Sequence, residues 1–143
     1  MSIDSRIVGD FKLKEIQIKT RRALRQGMYR IGKDLESTLK RDILKKPKSG
    51  RTYIRKTANG RRRRHIASAA GETVANRTGN YRNSVGFKVG QDKIEFGAGV
   101  EYAGFLENGT PKMGARPSLK NTIKSKYKDM RGDIQTALER EFR

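Results

Sequence analysis

Arg61, Arg62, Arg63 and Arg64 form an unbroken run, and Lys45, Lys46, Lys48, Arg51, Arg55 and Lys56 precede them closely. Arginine presents a planar fork that matches phosphate oxygens, and contacts made through phosphates read no base sequence. The chemistry these residues can perform is capture of a polyanion. Between Lys40 and Arg64 twelve basic residues face a single acid, Asp42, so this stretch holds +11 of the formal +19. A field that concentrated attracts nucleic acid or an acidic protein surface. A merely solvated face and a nuclear import signal are the competing readings.

Turnover chemistry finds no footing. His65 is the one histidine and there is no cysteine, which rules out histidine pairs, thiolate sites and disulfides. No Gly-rich phosphate loop, nucleophile elbow or spaced carboxylate pair occurs. A small basic ribonuclease would need a positioned general base, which nothing in the chain supplies. The expectation is a non-enzyme without cofactor or metal. The sequons at Asn76 and Asn108 read as turn chemistry.

A second group of residues suits contact between subunits. Glu107 and Arg116 flank the turn from Asn108 to Ala115, placed to pair with each other or with a neighbouring copy. Asp92, Glu95, Glu101 and Glu107 form a locally acidic region set against Lys88 and Lys93, complementary to the basic stretch. Tyr102, Phe105, Leu106 and Met113 are read first as core packing and second as interface anchors.

These residues need elements to hold them, and 143 residues suffice for a single domain, 1–143. Leu, Ile, Val and Phe supply only 29 of the 143, so the core is small for the charge it must carry. No apolar stretch is long enough for a membrane helix, and Met1 to Arg6 lack the apolar centre of a signal peptide. Leu24, Met28, Ile31, Leu35, Leu39 and Ile43 step by threes and fours, predicting a helix over 11–46 that stops before Pro47. Gly27 and Gly32 within it predict bending or close packing. Residues 48–76 read as a basic loop or hairpin turning at Asn59-Gly60, mobile unless docked.

Residues 78–110 read as a sheet with short helices. Thr78 is the expected cap of a first short helix. Val85, Phe87 and Val89 then alternate with polar residues, as do Ile94 and Phe96 after a turn, giving an antiparallel hairpin with one apolar face. A short helix from Tyr102 to Glu107 ends at Asn108-Gly109. Leu119, Ile123, Tyr127, Met130, Ile134 and Leu138 predict a second long helix over 117–141 with Pro117 in its first turn. The expected class is α+β: a long N-terminal helix and a C-terminal helix packed on a small antiparallel sheet, with a basic extended loop or hairpin.

Three segments resemble a known family. The first is Ser49-Gly50-Arg51 with Tyr53, His65 and Ala67 to Glu72, although many members carry proline where this chain has Ala70 and Val74. The second is Thr78-Gly79 with Arg82, Ser84 and Val85, with Tyr81 in a leucine position. The third is Tyr102-Ala103, Leu106-Glu107, Gly109-Thr110, Met113, Ala115-Arg116-Pro117 and Leu119. Together they are similar to the head-to-tail joining and tail-completion proteins of lambdoid-type long-tailed phages, a family of minor tail components. The resemblance implies a virion protein of the neck or tail, assembled in the host cytoplasm as a homo-oligomeric ring without enzymatic activity. Its implied partners are copies of itself, connector and tail-tube or terminator proteins, and double-stranded DNA passing through the lumen. The basic stretch then faces that DNA or docks on an acidic neighbouring ring. A basic, sequence-nonspecific nucleic-acid-binding module is the alternative.

Overall fold

The computed structural model describes residues 5–143, with side chains described from Leu13 onward. Met1 to Asp4, part of the segment read above for a leader, lie outside the described residues. The elements run α1 (Ser5–Lys45), β1 (Thr52–Lys56), β2 (Arg62–Ile66), α2 (Asn80–Ser84), β3 (Val85–Val89), β4 (Ile94–Ala98), α3 (Ala103–Asn108) and α4 (Ser118–Glu141). The class is α+β, with two separate two-stranded antiparallel sheets, β1-β2 and β3-β4.

Helix α1 begins six residues before the expected boundary of residue 11. The apolar stripe that marked the helix starts only at Leu24, while good helix formers between Leu13 and Arg25 extend the backbone beyond it. Its buried line is Ala23, Met28, Ile31, Leu35, Leu39 and Ile43, a spacing that keeps one face inward. It ends at Lys45, ahead of Pro47, as a proline requires of the residue before it.

Helix α4 runs antiparallel along α1. Lys126 Nζ lies 3.0 Å from Asp34 and Arg22 lies 3.7 Å from Glu141, with Gly27 opposite Ile134 and Ala137 between those pairs. A Cβ on Gly27 would stand 3.3 Å from the Ile134 Cα, so the two backbones approach closely there. Gly32 likewise serves close packing, because a side chain there would overlap the Phe87 ring.

The stripe expected to bury α4 is only half covered. Ser118, Thr122 and Ala137 form the buried line instead, while Ile123 is 39% and Tyr127 62% exposed. Contact through small residues brings the helices together and leaves the larger side chains on the rim of the seam. Past the Arg22–Glu141 pair α1 continues toward its N-terminus without α4, and Leu13, Ile16 and Ile18 are exposed there.

The β3-β4 hairpin is antiparallel as expected, with Val85 opposite Ala98, Phe87 opposite Phe96 and Val89 opposite Ile94. Opposed residues share a face, so these apolar pairs form one side of the ribbon. Phe87 meets Tyr29 of α1 edge-to-face, ring centroids 5.5 Å apart. The short helices shift by a residue from expectation. Gly79, in the left-handed region at φ 86°, immediately precedes α2, and the Thr78 hydroxyl accepts from Asn80 N at 3.4 Å. Pro117 stands just before α4, not within its first turn.

The core is Leu39, Ile43, Val74, Tyr81, Val85 and Ala103, with Phe96, Leu106 and Leu119 packed against it. It sits where the C-terminal half of α1 meets α2, the β3-β4 ribbon, α3 and the start of α4.

Candidate polyanion-binding hairpin and junction cleft

The basic tract folds as the β1-β2 ribbon, in register Thr52↔Ile66, Tyr53↔His65, Ile54↔Arg64, Arg55↔Arg63 and Lys56↔Arg62. Its turn closes with Thr57 N donating to Arg61 O at 2.8 Å and Gly60 N to Thr57 O at 2.9 Å. Gly60 takes φ 73°, a conformation that glycine adopts without the steric cost a Cβ brings.

One face carries Tyr53, Arg55, Arg63 and His65, with the Arg51 guanidinium 5.7 Å from the Tyr53 ring centroid. The other carries Ile54, Lys56, Arg62 and Arg64. Every β1 residue is exposed, and so is every β2 residue except the half-buried His65. Two adjacent rungs, Arg55↔Arg63 and Lys56↔Arg62, place like charges opposite each other, which weakens a sheet. Among the described residues none from Arg51 to Arg64 forms an ion pair.

Three of the basic residues flagged by type have other surroundings. Lys45 ends α1, and Lys46 just beyond it pairs through Nζ with Asp42 at 2.7 Å. Lys48 is turned inward, its ammonium buried without a hydrogen-bond partner, and burial lowers its pKa against the opposing pull of Glu72. Lys48 therefore leaves the set of free surface cations, since its head group does not face solvent.

Hydrogen bonds tie the base of the ribbon to the body. Gly50 N donates to Ala67 O and Ala67 N to Arg51 O, and a Cβ on Gly50 would crowd the Ala67 and Ser68 backbone. The Glu72 carboxylate accepts from Ser49 N at 3.1 Å, from the Ser49 hydroxyl and from Ala69 N at 2.8 Å. The Ser49 hydroxyl first, then the two amides, hold its pKa below the usual carboxylate value. Arg116 Nε donates to Ser68 O at 3.0 Å, Gly71 N to Ala115 O at 2.8 Å and Val74 N to Ser118 Oγ at 2.9 Å.

The expected Glu107–Arg116 pair is absent among the described ion pairs. Glu107 is buried, 8% exposed, and its two oxygens accept from Leu119 N at 3.1 Å and Lys120 N at 2.8 Å. An inward carboxylate on the first turn of α4 satisfies amides that have no partner inside the helix. Arg116 instead bonds carbonyls, Ser68 O and Gly114 O. Both groups thus fix the chain locally, and Glu107 is withdrawn from any outer surface. Core packing as the first reading holds for half-buried Leu106, whereas Tyr102 at 42% and Phe105 at 63% are exposed. Met113 is half-buried and bridges to Thr110.

The three segments quoted for their family resemblance meet around one cleft of about 390 Å³. His65 and Ser68 line it from the ribbon's exit, Thr78, Tyr81 and Arg82 from α2 and its approach, and Tyr102 and Arg116 from either side of α3. Arg77 lines it too, and no carboxylate does. Tyr81 is 6% exposed, and its hydroxyl and the Arg82 Nε are buried with no hydrogen-bond partner. Burial, then the nearby Glu107 and Tyr102, push the Tyr81 phenol up to about 12, so it is a proton donor at neutral pH. Sequence reasoning missed Glu72, Arg77 and the donor roles of Tyr81 and Arg82. Their types are ordinary, and their roles depend on chain closure over tens of residues, as where Glu72 meets Ser49.

No described helix is long and apolar enough to cross a membrane. Compared with protein-family models, curated proteins and solved structures, the chain matches none.

Proposed function

We propose that this chain is a structural, non-enzymatic subunit of a tailed bacteriophage particle, forming a homo-oligomeric ring at the head–tail junction. As a neck, tail-completion or tail-terminator component it is needed for tail assembly or head–tail joining. The observation that carries the reading is the β1-β2 ribbon: two like-charged rungs, solvent on both faces and no counter-ion among the described residues. Such a ribbon is stable against its own repulsion only weakly and gains most when a polyanion covers it. In a ring lumen, copies of the ribbon surround double-stranded DNA and touch phosphates alone, as a channel indifferent to sequence requires.

The body supports the same reading. A groove between Ile31 and the α4 residues Tyr127, Met130, Ile134 and Leu138 stays open, and Phe105 and the α1 residues Leu13, Ile16 and Ile18 are exposed. Those surfaces suit coverage by copies of the chain and by connector or tail-tube proteins. Native mass spectrometry and negative-stain microscopy test it. Closed rings are expected from the purified chain, or on adding a phage tail-tube protein. A chain monomeric in both conditions and missing from intact virions would overturn the proposal.

A basic nucleic-acid-binding module that needs no ring is the alternative, since a two-stranded ribbon also fits a DNA major groove. Replacing Arg61 to Arg64 with glutamine separates ribbon from body. The slope of log affinity for duplex DNA against log salt is expected to fall by roughly three to four, nearly one per phosphate released. A monomer that binds RNA hairpins more tightly than duplex DNA would favour the module.

A further inference from the structure

Two residues that line the junction cleft carry buried hydrogen-bond donors with no partner among the described residues. Buried polar groups are nearly always paired, and an unpaired one calls for a missing partner. Here two unpaired buried donors, the Tyr81 hydroxyl and the Arg82 Nε, occur on adjacent residues that line the same cleft. Arg77 and Arg116 add charge, His65 adds a ring nitrogen, and no carboxylate lines the cleft with them. The carboxylate whose charge the Tyr81 phenol senses, Glu107, has both oxygens engaged by the α4 amides. Arg116 is fixed in place through Nε and Nη1 by two carbonyls, so neither of those contacts neutralises its charge.

We propose that this cleft is a binding site for a phosphate group, with Arg82 and Tyr81 as its inner donors and Arg77 and Arg116 at its rim. A phosphate suits the arrangement because it offers several acceptor oxygens around one centre and carries the charge that three arginines call for. The space, about 390 Å³, accommodates the group with room for the chain attached to it. The site lies at the base of the basic ribbon, sharing His65 with it, yet its donors belong to the folded body. The inference does not depend on the ring reading.

The test follows the arginine Nε–H signals of the ¹⁵N-labelled full chain during titration with inorganic phosphate, at ionic strength held constant with chloride. Arg82 and Arg116 are expected to shift saturably, and Arg82→Gln to weaken the fitted affinity at least tenfold while the β3-β4 amides keep their native shifts. Tyr81→Phe is expected to weaken it severalfold. A chain with Arg61 to Arg64 changed to glutamine is expected to retain the saturable response. A 12-base-pair duplex is titrated into that same variant. Saturable Arg82 shifts with the duplex assign the site to backbone phosphates, and shifts with inorganic phosphate alone assign it to a free phosphate. Absence of saturable Arg82 shifts with either probe overturns the proposal, and so does an equal response to acetate. If Arg82→Gln fails to fold, the wild-type titration and Tyr81→Phe decide the matter.

Discussion

The junction core and the basic ribbon are both built from short sequence segments, yet opposite forces hold them. At the junction, Leu39 is fully buried and Ile43 2% exposed, closed in by α2, α3 and the second hairpin. In the ribbon Ile54, the apolar residue of β1, is 70% exposed, and cross-strand neighbours repel. The junction is stabilised by removing apolar surface from water, and the ribbon by backbone bonds and the clasp at its base. One chain thus contains a region whose apolar core is closed and a region whose charge awaits a partner.

The sharpest way to break that comparison is one truncation in each region. Leu39→Ala removes a wholly buried side chain and is expected to cost about 2–5 kcal/mol. Ile54→Ala is expected to cost less than about 0.5 kcal/mol, the usual range for an exposed position. Denaturant unfolding of both variants checks it. A loss at Ile54 matching that at Leu39 would mean the ribbon packs against something in solution and is not free.

Much of this division is legible from sequence patterns. The stripe from Met28 to Ile43 and the alternation from Val85 to Phe96 match the periods of a helix and of a half-covered strand, and each is realised. The α4 stripe misled because periodicity reports which residues share a face, not whether anything covers that face. Gly27 and Ala137 decide the approach of the helices, and small residues leave no apolar signal. The basic run was visible by residue type, whereas the clasp and the cleft were not. Glu72 reaches Ser49 over 23 residues and Arg116 reaches Ser68 over 48, separations that no local pattern encodes.

Glu107 sharpens the comparison within the junction. Glu107→Ala leaves the Leu119 and Lys120 amides without their acceptor and is expected to cost about 1–3 kcal/mol. Because Arg116 bonds only carbonyls, a double-mutant cycle between Glu107 and Arg116 is expected to give a coupling under about 0.5 kcal/mol. Strong coupling would restore the ion pair that the residue types suggest.

The smallest effect concerns the clasp at the ribbon's base. In the fold the Glu72 carboxyl titrates below its ordinary value of 4.5, chiefly because the charged form accepts from the Ser49 hydroxyl and from the Ala69 and Ser49 amides. A lowered pKa means that the folded state binds the proton less readily than the unfolded chain. The clasp is therefore fully engaged above pH 4.5 and is lost as the pH falls through the lowered value. Amide protection factors, which remove the intrinsic pH dependence of exchange, are expected to drop in β1 and β2 over that acidic window while those around Leu39 hold. Glu72→Ala is expected to reproduce the drop at neutral pH and to abolish its acid dependence. Ribbon protection that tracks the Leu39 region through both changes would show that the two regions open together, and the contrast between them would then be one of charge alone.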